Sequence, residues 1–99
     1  MSELNIKINH GEAHLISNLI SRAIAEEKKR LELVLEMTNQ KLHEFERKYG
    51  FSTVVFVEKF QKGEIPEDDT IFSWWAESKI ANELQKNLKA LEELEICQK

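Results

Sequence analysis

Residues 31–50 read LELVLEMTNQKLHEFERKYG, and their spacing decides the architecture. Leu31, Leu35, Thr38, Leu42, Phe45 and Tyr49 recur in alternating steps of four and three. The positions 31/38/45 form one register and 35/42/49 the other, a heptad seam of the kind that packs one helix along a second. Arg47 and Lys48 put cations into the last turn, and Gly50 suits the left-handed position just beyond it. Glu26–Arg30 and Glu44–Lys48 stand at the spacing of supportive ion pairs.

Upstream, neither Gly nor Pro interrupts the chain from Glu12 to Tyr49, and the residue types favour helix. One helix over 12–49 is expected, about 57 Å long at ~1.5 Å per residue. Its first turns carry Leu15, Ile16, Leu19, Ile20, Ala23 and Ile24 at helical spacing. Before it, Leu4, Ile6 and Ile8 alternate with Asn5, Lys7 and Asn9, which reads as an extended arm or strand over 1–11. Such a strand finds its ladder partner in residues 51–57 or in another subunit, or stays loose.

Downstream, FSTVVFVEKFQK at 51–62 carries β-branched residues that favour a strand. Against that, Ser52 or Thr53 can cap a helix, Phe56 and Phe60 are one turn apart, and Gly63 can end it. A short helix over 52–62 is the preferred reading. The loop GEIPEDDT follows, in which Pro66 pushes Ile65 out of helical geometry. Asp69 or Thr70 then caps a helix over 70–96, with Asp68 adding favourable negative charge. Its apolar stripe holds Ile71, Trp74 or Trp75, Ile80 or Ala81, Leu84, Leu88, Leu91, and Leu94 or Glu95.

The fold expected is therefore all-α and a single domain: a long antiparallel, coiled-coil-like hairpin with a short connecting helix and an N-terminal arm. The two long helices are unequal, about 57 and 39 Å. Anchored at the Tyr49/Gly50 end, the first helix overhangs the second by roughly a dozen residues. Leaving that stripe in water costs roughly 1.5–3 kcal/mol per large side chain. Association is the expected remedy, most simply a twofold dimer through Leu15, Ile16, Leu19, Ile20, Ala23 and Ile24, with Trp74 or Trp75 adding an aromatic anchor. Adjacent helical positions diverge by about 100°, so the two indoles cannot share one seam. One is expected against Phe51, Phe56 and Phe60.

Composition narrows the function classes. The 99 residues carry 14 Lys+Arg against 18 Asp+Glu, a net charge of −4, which disfavours a nucleic-acid footprint. A strand followed by a helix suits a ribbon-helix-helix DNA binder, with Asn5, Lys7 and Asn9 reading bases. The first helix, however, shows no break, and only Lys7 and Arg22 supply cations in the first 25 residues. One cysteine excludes an intrachain disulfide framework, and no apolar run suits a membrane span or signal peptide, so a cytoplasmic protein is expected. His10 and His14, with Glu12 between them, are the sole metal candidates. They lack both a third ligand and the H-E-x-x-H order, and read better as a polar link into the helix. Cys97 has no partner for nucleophilic work and reads as a small, partly buried side chain in the final turn. No cofactor and no enzymatic activity are expected.

The order Leu42-x-x-Phe45-Glu46-x-Lys48-Tyr49-Gly50-Phe51-Ser52, then Phe56-x-x-x-Phe60-x-x-Gly63-Glu64-Ile65-Pro66-x-Asp68-Asp69, then Phe72 and Trp74-Trp75 before a Leu-rich helix, resembles a family of small prokaryotic helical-hairpin proteins. These are common in archaea and cyanobacteria and are associated with the antitoxin halves of two-gene toxin–antitoxin modules. The resemblance covers roughly residues 31–95. It implies a non-enzymatic protein that binds and neutralises a partner toxin. The chain departs from the family in the apolar Thr53-Val54-Val55 start of its short helix and in its paired Trp, and the arm lies outside the match. The alternative reading is a structural homo-oligomeric coiled-coil adaptor with no toxin target.

Overall fold

The computed structural model describes residues 10–97, with side chains from residue 11 onward. The arm expected over 1–11 lies outside these residues through position 9, whereas residues 10 and 11 are helical. Three helices make up the described chain: α1 (His10–Tyr49), α2 (Thr53–Gln61) and α3 (Asp69–Cys97). The molecule is long and thin, 61 × 30 × 19 Å, with a radius of gyration of 20.0 Å. A compact domain of this length would have a radius near ~13 Å.

The long helices form the expected antiparallel hairpin. Leu31, Thr38 and Leu42 are buried on α1, with Leu35, Phe45 and Tyr49 half-buried beside them. On α3 the seam resolves its ambiguous positions in favour of 74, 81 and 88: Trp74, Ala81 and Leu88 are buried while Ile80 is exposed. These positions are spaced as one heptad register, which carries on to Glu95 rather than Leu94. Glu95 is half-buried because Lys28 Nζ donates to its Oε1 at 2.9 Å. That bond, and then the carboxylate's charge, raises the Lys28 pKa above its ordinary value. Lys41 pairs with Glu77 at 3.5 Å further along. The Glu26–Arg30 pair expected from spacing gives way to Glu27–Arg30, at 2.6 Å, which holds the Glu27 carboxyl below its ordinary pKa through the Arg30 hydrogen bond.

Each turn has an identifiable chemical cause. Gly50 sits at φ +82° and donates to Glu46 O at 2.8 Å, closing α1. No atom approaches the place a Cβ would take, so its constraint is backbone conformation alone. Gly50→Ala should cost about 1–2 kcal/mol, the left-handed penalty, read by chemical denaturation. Ser52 Oγ accepts from Val55 N at 3.2 Å, and Glu46 Oε2 accepts from Thr53 N at 2.7 Å. These two caps start α2 as a helix despite its valines. It ends where Gly63 N and Glu64 N donate back to Phe60 O and Lys59 O, a Schellman closure. For α3 the expected cap is corrected. Asp68, not Asp69 or Thr70, accepts from Ile71 N at 2.8 Å through its Oδ1. Asp68→Ala should remove about 1 kcal/mol, visible as a lower denaturation midpoint at unchanged slope.

Candidate protein-binding surface

The bend is built around Trp74, which is 0% exposed. Its ring stacks on Phe56 at 4.0 Å and 5°, on Tyr49 at 5.3 Å, and on Phe45 and Phe51 at 5.5 Å each. Its Nε1 donates to Thr53 Oγ1 at 3.0 Å, so burial leaves no polar atom unpaired. α1, α2 and the linker between them are thereby locked to α3 through one side chain. Trp74 has no surface to offer a partner, which corrects its candidacy as an interface anchor. Trp75, about 100° further round the helix, is half-buried. It stacks on Phe60 at 4.4 Å and carries Lys79 Nζ 4.4 Å over its ring. The aromatic cluster is shared between the two indoles rather than given to one.

Beside Trp75 lies a shallow cleft of ≈ 450 Å³, lined by Leu42, Val54 and Val57 together with Asn39, Asn82 and Gln85. It offers apolar surface and amides, with Glu58 and Lys79 also in its lining.

The remaining candidates lie at the other end of α1. The Lys28–Glu95 pair marks where α3 runs out, and residues 10 to about 23 continue without it, some 20 Å at ~1.5 Å per residue. Leu15, Leu19 and Ile20 are 57%, 47% and 42% exposed, Ala23 is exposed and Ile16 half-buried. Ile24 departs from the expected set: it lies 8% exposed, at the open end of the seam. Spacing alone presents these six residues as one stripe. At about 100° per residue they cover close to half the helix circumference, with Ile20 and Ile24 along the seam and Leu15 and Leu19 on the far side. An arc that wide exceeds the ~100° stripe of a helix covered from one side.

His14 is exposed, and the side chain of His10 lies outside the described residues. Among the described residues no three His, Cys, Asp or Glu side chains converge as a metal cluster. Cys97 is exposed and unpaired, where partial burial was expected. No described helix is long and apolar enough to cross a membrane. The exposed apolar length of α1 stands as the strongest candidate for function. Comparison with protein-family models, with curated proteins and with solved structures finds no match to this chain.

Proposed function

We propose that this chain is a non-enzymatic protein-binding module, working as a homodimer in the cytoplasm to bind and neutralise a partner toxin. One observation carries the binding role: α1 outruns α3 and presents Leu15, Leu19 and Ile20 to water. Each such side chain contributes roughly 1.5–3 kcal/mol when a partner covers it. The rigid bend supports the same reading, because a pinned hairpin holds the extension in a defined direction and lowers the ordering cost of binding. The toxin as target comes from the family resemblance of residues 31–95.

Co-expression with the product of the neighbouring gene tests the proposal. A co-purifying complex and relief of growth arrest are expected, and both should be lost in Leu15→Glu. A neighbouring product that neither binds the chain nor harms the cell removes the toxin reading.

A further inference from the structure

The hairpin has two long faces, and α2 covers only one. Thr53, Val54, Val57 and Glu58 of α2 border the cleft with Asn39, Ser78 and Asn82. The opposite face is marked by the Lys41–Glu77 pair, beside which Glu44, Phe45, Lys48 and Ser73 line a second hollow without any α2 residue. Along α1, Met37 and Val34 stand one and two turns before Lys41, on that same face. Along α3, Ile80, Leu84 and Leu91 follow Glu77 at steps of three, four and seven, and Leu94 extends the line. Met37, Ile80 and Leu94 are 55%, 45% and 47% exposed, with Val34, Leu84 and Leu91 half-buried between them.

The two ion pairs set the register, so Leu84 lies level with Glu36 and Leu91 level with Leu31. The apolar strip from Ile80 to Leu94 is therefore about 20 Å long, the same length as the extension of α1 beyond α3. Ile16, Leu19 and Ala23 of that extension fall on the same azimuth as Val34, Met37 and Lys41, with Ile20 adjoining. Extension and strip are thus consecutive parts of one face, equal in length and both apolar, with the Glu27–Arg30 pair between them.

We infer that the occupant of this face is a second copy of the chain, docked antiparallel about a twofold axis near the C-terminal end of α3. In that arrangement the extension of each copy lies along the Val34–Met37–Ile80–Leu91 strip of the other, and a self-complementary interface closes on itself. Pairing covers the exposed apolar side chains of extension and strip on both copies at once, which counts toward the ~1,200 Å² at which specific interfaces begin. Two hairpins meeting this way make a three-helix overlap on either side of the axis, the extension of one copy lying against α1 and α3 of the other. Leu15 and Leu33, about 18 residues and five turns apart, share the outward azimuth of α1 and stay free for another protein. The inference rests on the binding reading above only in that both use the α1 extension. It separates the side used for self-pairing from the side left over.

Spin-label distances in the full chain test it, with Cys97→Ser as background and single cysteines at Asn18, Ala25 or Gln40, all exposed. The expected pattern is a shortest inter-copy distance at Ala25 and one of about 45 Å at Gln40, from ~1.5 Å per residue on either side of the axis. Met37→Glu should weaken self-association at least tenfold in sedimentation while helix content by circular dichroism stays the same. A monomer at 50 μM or so, or equal short distances at all three labels, overturns the pairing. A monomer that still captures the toxin overturns the pairing and keeps the function. A dimer with the expected distances that captures nothing does the reverse.

Discussion

Trp74→Ala should lower the unfolding free energy by about 3–5 kcal/mol, the largest effect of any single truncation in the chain. The reasoning is local. The indole is fully buried, contacts four aromatic rings from α1, α2 and their linker, and spends its one donor on Thr53 Oγ1. Truncation opens a cavity at a point where all three helices meet, and the flat faces of Phe56 and Tyr49 cannot close over it. Domains of this size hold roughly 5–15 kcal/mol in all, so the loss takes a large share of the total. In thermal melts it corresponds to a fall of more than about 12 °C. Trp75→Ala is the control: half-buried and stacked on one ring, it should cost about 1–2 kcal/mol. Equal costs for the two would mean that the bend is not organised around Trp74.

The second large effect is expected on assembly rather than on folding. Leu19→Glu with Ile20→Glu puts two carboxylates on the α1 extension, and a twofold partner doubles the change. Burial of each replaced side chain is worth roughly 1.5–3 kcal/mol, so the paired loss exceeds a hundredfold in association constant. Both positions lie beyond the Lys28–Glu95 pair, which ties the last turn of α3 to α1. The hairpin's own denaturation, followed at a concentration where the chain is monomeric, should move by less than about 0.5 kcal/mol. Sedimentation equilibrium and urea titration on the same sample separate the two quantities.

Much of this architecture is legible in the residues because the hairpin obeys one rule repeatedly. The four-three alternation over 31–49 places Leu31, Thr38 and Leu42 inside, and the Gly and Asp signals put the turns within a residue or two. The places where reading by pattern fell short each involve a degeneracy that pattern cannot break. Trp74 and Trp75 are equally apolar, and only the heptad running on through Ala81 and Leu88 chooses between them. Leu94 outranks Glu95 on hydropathy, yet Glu95 faces the seam because Lys28 waits across it. Over 52–62 the preferred short helix does form: Val54, Val55 and Val57 argue for a strand by propensity, and the two capping bonds outweigh them. Asp68 takes the cap because the helix starts one residue earlier than its apolar stripe suggests.

The candidate surface was legible in part. The unequal helix lengths already expose the extension, and Leu15, Leu19 and Ile20 are exposed as that mismatch requires. Ile24 was drawn into the set by spacing, although it belongs to the seam. The long face opposite α2 was legible only on its α3 side, where the stripe already held Ile80, Leu84, Leu91 and Leu94 but not Val34 or Met37 of α1. Its Met37, Ile80 and Leu94 are scattered among charges on two helices, and they become a strip only when the register aligns them.

The aromatic bend has a further consequence, for spectroscopy. Both tryptophans sit at one end of a molecule 61 Å long, and the α1 extension lies at the other. Trp74, dry and stacked, should emit toward the blue, while Trp75 beneath a lysine emits further to the red. Opening the bend changes both environments at once. The proposed pairing of copies centres near Ala25, some 30 Å away at ~1.5 Å per residue, and the strip it covers stops at Ile80, more than one turn along α3 from Trp75. Intrinsic fluorescence should therefore follow folding of this chain far more strongly than the proposed assembly.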